Sequence, residues 1–267
     1  SRAWYYKGSP RLGGEVVVGG GGGGGGIVGG VAAEFAATPS GAGAGCRRDV
    51  RVHGDRCDCR CLVHPGLCVD RGRRHERMPA YASGGWAPTE GIAAELQRFI
   101  DAGDFRAVKM RVGSGDGEVR HSIARVRAAR EGLGDDIDIM CDAHGTFSVA
   151  EAKRFCREVA ECNISWLEEP VVPDDKRGMA EVRASTDVPI STGESEFTRF
   201  AFRDLAELRA CDIFQPDLSI CGGVTEAMRI EAIASAYQLR YAPHLWGGAL
   251  TFAAGLHTLV VASTGFI

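Results

Sequence analysis

The chain has 267 residues, of which 45% are hydrophobic and 25% are charged, and its formal net charge is −4. This length fits one large α/β domain or two smaller ones, and the composition is that of an ordinary globular protein. A weakly acidic chain offers no basic surface for nucleic acid or for an anionic membrane, so we expect neither as a partner.

The first 77 residues differ in kind from the rest of the chain. They contain eight consecutive glycines, Gly19 to Gly26, followed by a tract rich in Arg and Cys. The glycine run matches any glycine-rich phosphate motif by composition alone, so it is no evidence for a phosphate-binding loop. The Arg/Cys-rich tract has no apolar periodicity that could form a buried core. We therefore predict a low-complexity, irregular segment over residues 1–77 and a folded domain over residues 78–267. The early apolar stretch is mostly glycine and not the leucine-rich core of a secretory signal, so we predict a cytoplasmic protein.

The Arg/Cys-rich tract raises the alternative of a small zinc site. Its CDCRC spacing lacks the paired C-x₂-C knuckles that structural zinc sites usually have, so an irregular segment is favoured. The remaining cysteines of the chain lie in apolar runs, where buried free thiols are common. The cysteines and histidines of the tract are Cys46, Cys57, Cys59, Cys61, Cys68, His53 and His64.

From Met78 onward, strand-like and helix-like segments alternate. Apolar residues recur every three or four positions over residues 117–134, 149–162 and 225–238, which indicates helices. Strands that alternate with helices at this pitch predict a parallel sheet, and seven of them predict an α/β fold of the (β/α)₈ TIM-barrel type. We expect the barrel to be incomplete, with its eighth strand missing. The strand-like runs are MPAYAS, FRAVKMRV, DIDIMCDA, ISWLEEP, VPISTGE, DIFQPDL and LRYAPH.

The last 27 residues, from Tyr241 to Ile267, contain no Asp, Glu, Lys or Arg, which raises the question of a membrane span. Pro243, two histidines and several glycines interrupt this stretch. A buried strand followed by a buried helix accounts for it better, so we predict no membrane association.

Three acidic residues, Asp142, Glu168 and Glu194, follow one another at intervals of 26 residues, each at the end of an apolar run. One strand plus one helix of a β/α barrel has about this length, so the spacing predicts three carboxylates at the same level of adjacent strands. Converging carboxylates repel one another unless a cation lies between them, and hard oxygen ligands suit Mg²⁺. The pattern therefore predicts a Mg²⁺ site.

Two cations and an acid–imidazole pair accompany the carboxylates. Lys109 and Arg111 lie two residues apart on one predicted strand, so both side chains point to the same face, into the barrel. Asp217 and His244 end the sixth and seventh predicted strands, where a carboxylate can bond one ring nitrogen and raise the basicity of the other. The alternatives are a surface-facing strand end for the cations and a structural role for the histidine.

Six motifs, in their order and spacing, resemble the mandelate racemase subgroup of the enolase superfamily: VKMRVG, DIMCDAHG, WLEEP, STGE, QPDLSICGGVTE and APHLWG. The resemblance covers about residues 78–267. It implies metal ligation by the three carboxylates, an Asp217–His244 dyad, and removal of the proton next to a substrate carboxylate, with Mg²⁺ and cationic side chains stabilising the enediolate. Full-length relatives are expected to be homo-oligomers.

Two departures from the family pattern shape the functional prediction. Arg111 replaces the second lysine of the usual K-x-K motif, and arginine is a poor base. A racemase needs a base on each face of its substrate, so dehydration of an acid sugar to a 2-keto-3-deoxy acid is favoured over racemisation of a 2-hydroxy acid. His144 lies on the same strand face as Asp142 and can serve as a second acid or bind a substrate hydroxyl.

The second departure concerns how much of the family's sequence is recognisable in this chain. The family's N-terminal capping domain is not recognisable in residues 1–77. This leaves two further hypotheses: that residues 1–77 are a capping region read in the wrong frame, and that the chain is an inactive barrel fragment that binds metal.

Overall fold

The computed structural model describes residues 80–103 and 105–263. In this part of the chain the strands are β1 (Ala82–Gly84), β2 (Ala107–Arg111), β3 (Asp138–Asp142), β4 (Trp166–Glu168), β5 (Ile190–Thr192), β6 (Ile213–Phe214) and β7 (Arg240–Tyr241). The α-helices are α1 (Ile92–Gly103), α2 (Val119–Leu133), α3 (Val149–Glu158), α4 (Lys176–Arg183), α5 (Thr198–Glu207), α6 (Gly223–Ala236) and α7 (Ala249–Val261). Short 3₁₀ helices cover Ser114–Asp116 and Ala160–Cys162.

The sheet formed by the described residues is parallel throughout, in the order β1-β2-β3-β4-β5-β6-β7. A helix follows every strand, which is the connection that parallel neighbours require. The predicted α/β fold of the barrel type is therefore confirmed. The low-complexity segment and its cysteine tract lie outside the described residues, so the zinc alternative and the domain division stay predictions.

The strand register places two of the three predicted metal ligands at one level. Asp142 pairs with Arg111 on one side and with Glu168 on the other. Glu168 in turn pairs with Ser191, so Glu194 lies three residues beyond this level, on the loop after β5. The expectation of one level was right for Asp142 and Glu168 and wrong for Glu194. The connection between β4 and β5 is shorter because α4 has only eight residues.

Local sequence explains the helices next to the site. Helix α1 buries Ile92, Leu96 and Phe99, which share one face at helical spacing. Helix α3 begins with a capping box, in which the Ser148 hydroxyl accepts from the Glu151 amide and the Glu151 carboxylate accepts from the Ser148 amide. These features orient helices on the outside of the sheet.

The core lies against both faces of the sheet. Strand β2 is buried along most of its length, as expected for a parallel strand covered on both faces. Fully buried aromatic side chains contribute to this core, namely Phe155 on α3, Phe202 on α5, Phe214 on β6 and Tyr241 on β7, whereas Trp166 lies on the same side of β4 as Glu168. The cysteines of residues 80–263 are buried free thiols, as predicted.

Among the helices that the structure describes, none combines the length and the apolar character needed to cross a bilayer. The charge-free stretch after Tyr241 instead forms the end of β7, a loop and helix α7, whose C-terminal half is largely buried.

Candidate active site

Most of the predicted site residues meet in one cavity beyond the carboxyl ends of the strands. The cavity has a volume of about 460 Å³. Glu168 does not line it but lies beneath it, with no exposed surface. The predicted residues that line the cavity are Lys109, Arg111, Asp142, His144, Glu194, Asp217 and His244. Parallel strands bring their functional side chains together at this end, as the sequence predicts.

Lys109 and Glu168 form a buried ion pair in the floor of the site. The Lys109 Nζ atom donates to both carboxylate oxygens of Glu168, at 2.8 and 2.7 Å. Trp166 Nε1 and Gln215 Nε2 also donate to Glu168 Oε2, at 3.3 and 2.9 Å. Burial raises the pKa of Glu168, but the charges of Lys109 and His244 and the hydrogen bonds from Lys109 and Gln215 together outweigh it, so the pKa lies below its usual range. Glu168 is therefore ionised, and its charge is balanced by Lys109.

Arg111 and Asp142 form a second pair, nearer the opening. Arg111 NH1 donates to Asp142 Oδ1 at 3.0 Å, and the backbone amide of His144 donates to the same oxygen at 3.0 Å. Burial and the charge of Glu168 raise the pKa of Asp142, although Lys109 and Arg111 act in the opposite direction. The inward pair of cations thus meets the carboxylates, as predicted, rather than the solvent.

Asp217 and His244 form the predicted acid–imidazole pair. The residues are bridged as parallel neighbours, and His244 Nδ1 lies 2.9 Å from Asp217 Oδ2. Ser219 holds the other oxygen of Asp217, through its backbone amide at 2.7 Å and through its hydroxyl. Burial lowers the pKa of His244, but the bond to Asp217 and the charge of Glu194 prevail and raise it. The imidazole is oriented by one carboxylate and faces the cavity.

Glu194 connects the two histidines of the cavity. Its Oε1 lies 3.1 Å from His144 Nδ1, and its Oε2 lies 3.2 Å from His244 Nε2. His144 is the more accessible, with 58% of its side chain exposed against 19% for His244. The structure therefore places an acidic ligand candidate between two imidazoles that face the same space.

Glu169 is a site residue that the sequence reasoning missed. It directly follows Glu168, and strand alternation would point it away from the barrel interior. Its positive φ of 39° ends that alternation, and its buried carboxylate accepts from Thr192 Oγ1 at 3.3 Å. Burial and the charge of Glu194 raise the pKa of Glu169 to about 8. The signal available in the sequence was the second glutamate of WLEEP.

The residues around the cavity fit a divalent cation. Burial and the charges of neighbouring carboxylates raise the pKa of both Asp142 and Glu169, and a bound cation would counteract that repulsion. Donor atoms of His144, Glu169 and Glu194 lie within 4.8 Å of one another. This group shares Glu194 with the predicted ligand set and differs in its other two members. Carboxylate-rich donors of this kind suit Mg²⁺.

The comparison with known proteins agrees with the fold. Residues 91–267 match the family model described as enolase C-terminal domain-like. A D-galactarolactone cycloisomerase from Agrobacterium fabrum is 33% identical over 189 residues, which are 69% of this chain and 49% of the relative. A D-galactonate dehydratase from Xanthomonas oryzae pv. oryzae is 37% identical over 197 residues, covering 70% of this chain and 50% of the relative.

A solved structure shows the same likeness. An enolase superfamily member from Polaromonas sp. JS666 superposes with a TM-score of 0.70 and 39% sequence identity, over 75% of this chain and 53% of that one. The chain spans about half the length of the curated relatives that it matches.

Proposed function

The chain belongs to the enolase C-terminal domain-like family of the enolase superfamily, and from that membership and the geometry of its cavity we propose that it carries the active site of an acid-sugar dehydratase. The reaction proposed is abstraction of the proton next to the substrate carboxylate, followed by loss of the neighbouring hydroxyl to give a 2-keto-3-deoxy acid. The observation that carries the proposal is the Asp217–His244 dyad, which faces the same cavity as the carboxylates and the two cations.

His244 is the proposed base. Asp217 fixes the tautomer by holding Nδ1, so that Nε2 can accept the proton from the substrate carbon. In the described conformation Nε2 faces Glu194 Oε2 at 3.2 Å, and both neighbours favour the charged imidazolium. A cation bound by Glu194 would remove part of that bias and favour the neutral, basic ring.

The cations and the metal have separate tasks in this scheme. Asp142, Glu168 and Glu194 would hold Mg²⁺, which when bound supplies positive charge to the substrate carboxylate and to the enediolate. Lys109 and Arg111 add fixed positive charge on the same side, in a site where little water screens it. Arg111 stays protonated, so it stabilises charge and does not act as a base.

His144 is the proposed acid. Its ring lies at the exposed side of the cavity, where Nδ1 is 3.1 Å from Glu194 Oε1. As the bond from C3 to its hydroxyl oxygen breaks, His144 gives that oxygen a proton and water leaves. The electrons of the broken C2–H bond form the C2–C3 double bond of an enol, which becomes the 2-keto acid when C3 takes up a proton.

Cycloisomerisation is a second candidate, because one of the similar curated proteins is named as a D-galactarolactone cycloisomerase. Such a reaction can use the same base and the same charge stabilisation, and it differs in which bond to oxygen breaks. Racemisation of a 2-hydroxy acid is less favoured because Arg111 stands where a second base is needed.

The decisive experiment incubates the purified chain with Mg²⁺ and a panel of acid sugars, and measures 2-keto acid. We expect keto acid from the wild type and none from His244→Asn, while His121→Asn, a change at an exposed histidine on α2, stays active. Exchange of the α-proton in D₂O without keto acid would favour the racemase. A ring-opened isomer formed from a lactone would favour the cycloisomerase, and no reaction with any acid would favour an inactive fragment.

The cellular location, the assembly and the small carboxylate substrate, an acid sugar, remain predictions. Localisation in the cytoplasm and homo-oligomeric relatives follow from the sequence reasoning and the family resemblance alone.

A further inference from the structure

Trp86 is a large aromatic residue that the fold leaves half exposed at the edge of the cavity. It lies on the loop after β1, lines the cavity and has 48% of its surface exposed. Trp246, 53% exposed, lines the same cavity from the loop after β7. In the described part of the chain β1 and β7 are the outer strands of the sheet, so the two indoles reach the cavity from loops that follow its two edge strands.

The backbone on both sides of Trp86 is held firmly. Arg125, which is buried, donates from NH2 to the Gly85 carbonyl at 2.8 Å and from Nε to the Ala87 carbonyl at 2.9 Å. The Ala87 amide donates to Glu95 Oε2 at 2.7 Å. A third nitrogen of Arg125, NH1, donates to the Arg111 carbonyl at 2.8 Å. One guanidinium thus ties the loop that carries Trp86 to the strand end that carries Arg111.

Gly85 adds a steric restriction to the same loop. Its φ is +79°, a conformation that favours glycine, and a Cβ atom at this position would lie 2.9 Å from the Met110 Cβ. The chain therefore passes close to β2 immediately before Trp86. The indole is exposed although its backbone is fixed, an arrangement that adds little to the core and that suits a preorganised contact for a ligand.

The chemistry of the cavity divides between its floor and its walls. Charged groups on β2, β3 and the loops after β5 to β7 form the floor, and the proposed reaction places the carboxylate and C2 of the substrate there. The carbon chain beyond C3 then extends toward the opening, where the aromatic rings lie. A sugar chain presents hydroxyl groups on its edges and C–H groups on its faces, and an indole face packs on the latter.

We propose that Trp86 is a specificity-determining residue that packs against the C–H face of the substrate chain beyond C3. The inference rests on the proposed function, and it assigns the substrate class: polyhydroxylated acids longer than three carbons. The cavity of about 460 Å³ lies within the usual range for small-molecule sites and has room for such a chain.

The test is calorimetric titration of the full chain, with Mg²⁺, using D-galactonate and the three-carbon acid 2,3-dihydroxypropanoate as probes. All titrations use the His244→Asn background so that no turnover interferes. Trp86→Ala should weaken D-galactonate binding about 5- to 30-fold, equivalent to about 1–2 kcal/mol at 1.4 kcal/mol per tenfold, and leave the three-carbon acid within about twofold. Trp86→Phe keeps a ring and should lose less than about threefold.

Tyr237→Ala is the matched control, because Tyr237 is also 48% exposed but does not line the cavity. Unchanged D-galactonate binding by Trp86→Ala, or an equal loss for both acids, overturns the inference while the parent protein still binds. If the His244→Asn protein with Trp86 intact binds neither acid, both the inference on Trp86 and the proposed function are overturned. Selective loss of D-galactonate binding supports the inference even where the wild type forms no keto acid, in which case only the proposed reaction fails.

Discussion

Lys109 neutralises the completely buried carboxylate of Glu168. Removal of Lys109 therefore tests the electrostatics in the floor of the site. Glu168 has 0% of its surface exposed, and both of its oxygens accept from Lys109 Nζ at 2.7–2.8 Å. Two unit charges about 3 Å apart attract by about 5.5 kcal/mol in an effective dielectric constant of about 20. Breaking a buried pair by removing one partner typically costs about 3–5 kcal/mol, because the other charge stays buried without compensation.

We therefore expect Lys109→Met to lower the free energy of unfolding by about 3–5 kcal/mol at pH 7 in the absence of Mg²⁺. The assay is urea unfolding of the full chain, with Glu168→Gln and the double variant completing a cycle that isolates the pair. Mg²⁺ should restore part of the loss in Lys109→Met, since a cation beside Glu168 takes the place of the ammonium. A loss below about 1 kcal/mol, or additive single effects, would refute the reasoning.

The pH dependence of this difference has a definite sign. In the wild type the pKa of Glu168 is lowered in the folded chain, so its stabilisation is present above the unfolded value of 4.5 and is lost as the pH falls through the folded value of about 2. In Lys109→Met the largest opposing charge is gone, so we expect burial to prevail over His244 and Gln215 and the folded pKa of Glu168 to lie above the unfolded one. The penalty then exists at high pH and disappears as the carboxyl takes up a proton. The stability gap between wild type and variant should shrink between pH 7 and pH 4.5.

Three further changes test other contacts. Asp217→Asn should lower kcat for keto acid formation about 100- to 10,000-fold, because His244 loses the partner that fixes its tautomer; an unchanged kcat would contradict the dyad. Gln215→Leu removes the amide that donates to Glu168 at 2.9 Å, and unfolding should become easier by about 1.5–3 kcal/mol in urea. Ser148→Ala should cost about 1 kcal/mol in the same measurement, with Ser148→Thr as a control that keeps the cap.

The sequence predicted the strands well because parallel strands need apolar runs of a recognisable kind. Segments such as DIDIMCDA and ISWLEEP combine buried apolar residues with a polar residue at the end, and β3 and β4 lie within them. The pairing of Asp142 with Glu168 agrees with a strand-and-helix unit of 26 residues between them. Glu194 does not lie at that level, because the unit before it contains the short helix α4 and Ser191 pairs with Glu168 instead. Periodicity in the sequence does not give the lengths of the connections.

Other features of the site depend on backbone angles and long-range contacts that a spacing rule does not contain. Glu169 reaches the carboxylate cluster through a positive φ, which strand alternation does not foresee. Ser219 and Gln215 support the dyad and the buried glutamate through side-chain bonds to neighbouring residues or strands. The exposed position of Trp86 depends on Arg125, 39 residues later in the chain, so that no local pattern predicts it.

The charges around the cavity predict that Mg²⁺ binding releases a proton. Asp217 and His244 compensate each other, and beside that pair four carboxylates accompany two cations: Asp142, Glu168, Glu169 and Glu194 against Lys109 and Arg111. The excess of two negative charges equals the charge of one divalent ion. In its absence the pKa of Glu169 is raised to about 8, by burial and by Glu194, so this carboxyl is mostly protonated at pH 7.

A bound divalent ion lowers that pKa, so binding at pH 7 should release roughly one proton, and affinity should rise with pH until Glu169 is ionised. Calorimetric titration of Mg²⁺ in buffers of different ionisation enthalpy measures the released protons directly. Glu169→Gln should abolish the release, whereas Glu161→Gln, at an exposed site, should leave it unchanged. Mg²⁺ binding without proton release at pH 7 would mean that the excess charge is held elsewhere, and the balance argued from these six side chains would be wrong.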